Sequence, residues 1–194
     1  MTRVLLTAFE PYDRWAENSS WLAMVELTGW YDGDVSLTTR RYPVDLTRMS
    51  AMMRDDLRDD YDLAIHLGQS PGSPVIKIEK VGLNSRTDGS PLIADAPAAY
   101  QASLPLDDCQ RALTDAGIPS EVSHHAGTYL CNAALYLSQH YTRLFSLQTQ
   151  SIFLHLPLSP AQAAKDSHRL ASMSTPMTSA AIAIVMARLT DHIA

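Results

Sequence analysis

Cysteine is nearly missing from this chain: its 194 residues carry only Cys109 and Cys131. Two cysteines do not staple a small secreted scaffold, and a chain of this length needs no staple. Long apolar runs are missing too. Nothing approaches the roughly 18 consecutive apolar residues of a membrane span, so no membrane role is expected. The opening, Met1 to Asp13, holds one short apolar run closed by Glu10-Pro11. That run is too short for a signal h-region, and no small-residue cleavage site follows it. The setting expected from these absences is cytoplasmic and reducing, where a cysteine stays a free thiol. Positive charge is sparse: 15 Lys and Arg stand against 21 Asp and Glu, for a net charge of -6. With no basic run beyond Arg40-Arg41, nucleic-acid binding is not expected. Repeats, heptads and low-complexity tracts are absent. So are the glycine-rich phosphate loops, since Gly68-Gln69-Ser70-Pro71-Gly72 has neither dinucleotide-binding nor P-loop spacing.

What is present is ordinary globular material, 46% hydrophobic and 19% charged, enough for one sizeable core across residues 1–194. Val4 to Phe9 reads as a buried strand, Ser19 to Leu27 as a helix and Val35 to Arg41 as a strand closed by Pro43. Leu46, Met49, Met53 and Leu57 follow helical spacing. Tyr61 to Gly68 is a second buried strand, and Val75 to Leu83 a third strand or a hairpin arm. The Gly, Pro, Asp and Ser of Asn84 to Pro97 mark a surface loop. Pro105 opens a helix with Leu106, Cys109 and Leu113 on one face and Gly117 beyond its end. Pro119 to Ser123 is a short strand, Thr128 to His140 a helix, and Ser151 to Leu156 an apolar strand. A last helix starts at Thr175-Pro176, with Met177, Ala181, Ile184 and Val185 as its stripe. Strands alternate with helices, so the expected fold class is α/β: a single three-layer α/β/α domain with a largely parallel sheet. In such sheets sites form beyond the carboxyl ends of strands. The loops after Phe9, Leu67 and Leu156 therefore matter most.

Three kinds of residue carry candidate chemistry. If Thr128 caps its helix, Cys131 lies in the first turn, where unpaired N–H groups and the positive dipole end favour a thiolate and receive an oxyanion. A small buried residue at a helix start fits the same local sequence. Cys109, in the middle of an apolar stripe, reads as a packing residue. His155 ends a hydrophobic strand, as suits a catalytic base or a hydrogen-bonded core histidine. His66 has a similar placement, so position alone does not separate the two. His124 and His125 read as solvated or turn-capping. Glu79 lies among β-branched residues and shares a face with Lys77. It either points to solvent or fixes an imidazole as the third member of a Cys-His-acid set.

Several blocks together resemble the type I pyroglutamyl peptidases, or pyrrolidone-carboxylate peptidases, a family of cysteine peptidases. GIPSEVSHHAGTYLCN, from Gly117 to Asn132, is similar to the family's nucleophile block. IFLHLP is similar to its histidine segment and IEKVGLN to its glutamate segment. VLLTAFEPY and PAAYQASLP match two further blocks, so the resemblance spreads over most of the chain. It implies an open α/β sandwich with a central mixed sheet, of the phosphorylase/hydrolase-like kind. It implies Cys131 as nucleophile, His155 as base and Glu79 as orienting acid, with a thioacyl-enzyme. Phe9 and Tyr12, with Tyr129 and Leu130 nearby, are implied as apolar walls around a lactam ring, and Gln69 falls on a substrate-binding glutamine. The oxyanion partners implied are the Cys131 N–H and Arg86. The substrate implied is a peptide with an N-terminal pyroglutamate or a similar small N-acyl amide. No metal or organic cofactor is implied, and self-association into a homo-oligomer is.

The chain also departs from the family pattern. A glycine is replaced by Ala8, Phe-Gly-Gly by Tyr12-Asp13-Arg14, Asn-Pro-Ser by Asn18-Ser19-Ser20, and an arginine by Lys80. The loop after Asn84 contracts to Ser85-Arg86-Thr87-Asp88-Gly89. Side chains at former glycines fill space that a ligand would use. Activity on a pyroglutamyl substrate is therefore expected to be weaker than is usual for the family, or shifted to another acyl group. A binding or regulatory relative with little turnover is the alternative.

Overall fold

The architecture follows from two kinds of strand. The structure, a computed structural model, describes residues 1–193; Ala194, the last residue of the expected domain range, lies outside the described residues. The strands β1 (Thr2–Phe9), β3 (Leu63–Gln69) and β8 (Gln150–Leu156) are apolar on both faces, as strands covered by helices on both sides must be. They form the centre of a six-stranded sheet. β2 (Val35–Tyr42) lies at one edge, and β4 (Ile76–Glu79) and β7 (Ser120–Ser123) at the other, in the order β2-β1-β3-β8-β4-β7. All neighbours are parallel except β4 and β8, which run antiparallel. The sheet is thus mixed and mostly parallel, as expected.

Helices α1 (Ser19–Trp30), α3 (Leu106–Asp115) and α6 (Thr175–Ile193) cover one face with a core that includes Met24, Leu113, Val185 and Leu189. Helices α2 (Leu46–Asp56) and α4 (Leu130–Leu144) cover the other, with Met49, Met53, Leu135, Tyr136 and Phe153 between them and the sheet. No helix among the described residues is long and apolar enough to cross a membrane.

The structure corrects several sequence expectations. The chain from Val75 to Leu83 is not one arm. It breaks at Lys80, whose N–H donates to Ser123 O and whose carbonyl accepts from Ala102 N–H. Beyond that point β5 (Val81–Leu83) leaves the main sheet and pairs antiparallel with β6 (Ala99–Gln101), a strand too short to show a pattern. Thr128 does not cap α4. The cap position is Tyr129, without a side-chain cap bond, and Cys131 is the second helical residue, still in the first turn. The Thr128 carbonyl instead accepts from Thr87 Oγ1 at 3.2 Å, which ties the 84–97 loop to this turn. The buried stripe of α6 is Thr178, Ser179, Ala181, Ile182, Val185, Met186 and Leu189, with Met177 exposed. Trp30 Nε1 donates to Ser179 Oγ at 2.8 Å, so small polar residues sit where an apolar stripe was expected. A short helix, α5 (Pro160–Lys165), starts with a capping box between Ser159 and Gln162.

α4 approaches β5 at backbone distance. A Cβ on Gly82 would lie 2.7 Å from Tyr136 N and 2.8 Å from its Cα. Asn132, fully buried, clamps the same junction: Leu83 N–H donates to its Oδ1 at 2.8 Å, and its Nδ2 donates to Leu83 O at 2.9 Å and Ser85 O at 3.1 Å. Since backbone cannot yield as a flexible side chain does, Gly82→Ala should destabilise the protein by about 1–3 kcal/mol. Gly29→Ala, with nothing within 4 Å of its Cβ, should be neutral or stabilising by up to about 1 kcal/mol. Urea unfolding of both variants checks this contrast.

Candidate functional site

The carboxyl ends of β1, β3 and β8 lie side by side, and the start of α4 comes down onto them. Cys131 Sγ sits over Gly68: a Cβ added there would lie 3.0 Å from the sulfur and 2.5 Å from the Phe153 ring. Gly68 pairs in register with His155 of the neighbouring strand. An isolated glycine inside a strand signals such close approach. Gly68 is therefore a site residue that sequence reading passed over despite a legible cue.

His155 is 9% exposed and Glu79 only 1%. His155 Nδ1 and Glu79 Oε1 are 2.7 Å apart. β4 reaches β8 antiparallel with Lys77 opposite His155, which lets the Glu79 side chain run alongside the imidazole. Glu79 thus does not point to solvent. Lys77 instead lies 3.6 Å from Glu121. With Nδ1 taken by the carboxylate, Nε2 is the nitrogen left for Cys131. Burial alone would push the His155 imidazole down. The charge of neighbouring Cys131 and the hydrogen-bonded Glu79 carboxylate outweigh that and hold His155 up at about 9. Burial would likewise raise Glu79, but the hydrogen bond from His155 and the nearby Ser123 hydroxyl hold its carboxyl below the usual value. Its Oε2 makes no hydrogen bond of ordinary geometry.

The other sequence candidates divide clearly. Cys109 is fully buried, and burial pushes its thiol up to about 11, which leaves it inert. His66 lies inside β3 rather than at its end, fully buried, with Nδ1 2.8 Å from Thr7 Oγ1; burial lowers it to about 3. It is a neutral core histidine. His125 Nδ1 accepts from Gly127 N–H at 3.0 Å, which is the turn-capping role expected.

Tyr12 is half-buried, and its hydroxyl is pushed up to about 12, first by burial and then by the charge of neighbouring Cys131. The amide of Gln69 lies near that hydroxyl without a hydrogen bond of ordinary geometry. Phe9, 3% exposed, and Leu130 belong to the core cluster beneath α4, and Tyr129 is 58% exposed. Tyr129 and Leu130 border a cavity of about 230 Å³ together with Leu46, Leu92 and Arg86. The guanidinium of Arg86 donates from Nε to Pro91 O at 3.2 Å. That bond goes to its own loop rather than to the nucleophile. In the edited turn, Asp13 adopts φ +52, a left-handed conformation that Asp tolerates better than most residues. Arg14 turns away to Asp166 at 2.9 Å. The substituted segment thus keeps a tight turn where glycines would otherwise supply one.

The buried pair predicts a pH profile of stability. His155 is raised from 6.5, so its contribution is complete below about 6.5 and is lost as pH rises through about 9. Glu79 is lowered from 4.5, so its contribution is present above about 4.5 and is lost as pH falls through its lower folded value. Urea unfolding should therefore show a maximum contribution between these limits. Glu79→Gln should blunt the acid loss and bring the alkaline loss to lower pH; superimposable profiles would contradict the coupling.

The pyroglutamyl peptidase family model matches residues 2–191. A pyrrolidone-carboxylate peptidase of Clavibacter michiganensis is 32% identical over 206 aligned positions, covering 98% of this chain and 96% of the relative. One of Pseudomonas fluorescens is 36% identical over 177 positions, covering 84% and 81%. Among solved structures, a variant of the Pyrococcus furiosus pyrrolidone carboxyl peptidase superimposes with a TM-score of 0.92 at 28% identity, over 100% of both chains. The Fervidobacterium islandicum enzyme does so with a TM-score of 0.92 at 28% identity, over 98% and 99%. The chain belongs to the pyroglutamyl peptidase family.

Proposed function

We propose that this protein removes N-terminal pyroglutamate from peptides, with Cys131 as nucleophile, His155 as general base and acid, and Glu79 as the residue that orients the imidazole. The observation that carries the reading is the buried 2.7 Å bond between Glu79 and His155 Nδ1, which commits that nitrogen and turns the other toward Cys131. In the scheme, Cys131 Sγ attacks the carbonyl that joins the pyroglutamyl residue to the next amino acid. A thioester forms, the peptide C–N bond breaks, and the thiol proton passes through His155 to the leaving amine. Water, deprotonated by His155, then hydrolyses the thioester and returns the proton to sulfur.

The first turn of α4 supplies N–H groups that helix geometry leaves without intrahelical partners, including that of Cys131. These form the oxyanion site in this reading, and Arg86 takes part only if its loop bond to Pro91 is released. The cavity beside Tyr129 and Leu130, together with Tyr12 and Gln69, is the acyl pocket, with Phe9 behind it in the core. A reducing, cytoplasmic setting goes with this chemistry, because Cys109 and Cys131 are both free. Self-association goes with the family reading.

The test is turnover of a pyroglutamyl-linked fluorogenic amide beside a panel of other small N-acyl amides. Cys131→Ala should lower kcat by at least about 10³-fold, the scale expected when a nucleophile is removed. Cys109→Ser should keep the activity. Equal losses from both would overturn the assignment. Faster turnover of a different acyl group would show that the Tyr12-Asp13-Arg14 turn has shifted the substrate. No turnover of any amide, with Cys131 unreactive to iodoacetamide, would favour the binding relative.

A further inference from the structure

Gln69 has a polarity that its surroundings dictate. Its Oε1 accepts from Ser19 N–H at 2.8 Å and from Gln162 Nε2 at 2.7 Å. Gln162 is held in turn, because its Oε1 accepts from Ser159 N–H at 2.9 Å and its Nε2 donates to Glu17 O at 3.0 Å. Amide orientation is decided by such networks. Here each amide is read by a backbone group of fixed polarity: two N–H groups act only as donors, and one carbonyl only as an acceptor. Neither amide can rotate by half a turn without setting donor against donor or acceptor against acceptor. Gln69 is 4% exposed, and its Nε2 has no hydrogen-bond partner among the described residues. That nitrogen is covered, and the Tyr12 hydroxyl, itself a neighbour of Cys131, lies close to the amide.

We propose that Gln162 is a positioning residue for specificity: it locks the Gln69 amide so that the acyl pocket is offered hydrogen-bond donors and no acceptor at this point. This rests on the pyroglutamyl reading of the Cys131 site and deepens it. An N–H pair facing the pocket matches the ring carbonyl of a five-membered lactam. It meets only a methylene in the otherwise similar pyrrolidine ring of proline. A buried donor left unpaired is a strong reason for rejection, stronger than a missing methylene in an apolar slot. The pocket would thus separate the two rings at the oxygen rather than by shape.

Gln162 lies on α5, outside the nucleophile's immediate neighbours, so its role can be tested by ligand polarity. The probe is protection of Cys131 from iodoacetamide by 2-pyrrolidone, with tetrahydrofuran as a neutral five-membered ring that lacks the carbonyl and does not consume the reagent. In the wild type, 2-pyrrolidone should slow alkylation and tetrahydrofuran should not. Gln162→Glu turns the donor into an acceptor, so Gln69 regains a partner there only by reversing its amide. The 2-pyrrolidone concentration needed for half-protection should then rise at least about tenfold, while the unprotected alkylation rate stays as in the wild type. Gln162→Met, similar in volume and without a buried charge, leaves the Ser19 N–H as the fixed partner of the Gln69 amide; it should act in the same direction by a smaller factor and serves where Gln162→Glu does not fold. Unchanged protection in the variants would overturn the proposal. So would wild-type protection that fails to distinguish the two rings, or a loss matched by an equal fall in unprotected alkylation. Protection that depends on Gln162 in a protein that cleaves no pyroglutamyl amide would instead overturn the catalytic reading and leave the lock standing.

Discussion

A carboxylate and an imidazole, both nearly withdrawn from water, face each other at 2.7 Å between β4 and β8. Much of the site's construction depends on keeping that pair together. Burying either group alone would be costly, and together each offsets the desolvation of the other. The pair is joined across the one antiparallel neighbour of an otherwise parallel sheet, where β4 runs beside β8. Just past Glu79 the strand breaks at Lys80, and the chain leaves the main sheet to form the small β5–β6 ribbon. The ribbon then carries Leu83 to Asn132 and so fixes the start of α4 above the pair. The nucleophile's height over the sheet is set by two glycines, Gly68 under the sulfur and Gly82 against the helix backbone.

Most of the fold was legible because the central strands bury both faces and so read as continuous apolar runs. The small ribbon was not. β6 spans three residues, too few for a period to stand out from a loop, and β5 read as a continuation of β4. The start of α4 was misplaced because Thr128 looks like a cap, yet its neighbourhood is held by Thr87 from another loop, a long-range bond that local sequence does not encode. In α6 the expected stripe failed at Met177 because Thr178 and Ser179 satisfy their hydroxyls by hydrogen bonding and can be buried in its place.

For the site, position in sequence left Cys131, His155 and Glu79 each with a bland alternative, and only the resemblance joined them. The structure separates His155 from His66 by their partners: a carboxylate and a cysteine for one, a threonine hydroxyl for the other. Gln162 was passed over although Ser159-Pro160-Ala161-Gln162 has the spacing of a capping box. Its bond to Gln69 spans 93 residues, so nothing local announces the second use of that side chain. In the altered Tyr12-Asp13-Arg14 turn, Asp13 takes up the left-handed conformation and Arg14 points out to Asp166, neither of which the composition announces.

The central claim is covalent: the pyroglutamyl group resides on Cys131 between the two halves of the reaction. Intact-mass and peptide-mass analysis after rapid acid quench of the protein with a pyroglutamyl ester tests it directly. The account predicts one added pyroglutamyl group, carried as a thioester on the peptide that contains Cys131, and removed by hydroxylamine. Ester hydrolysis without any acylated protein, or the acyl group found on Cys109, would contradict it.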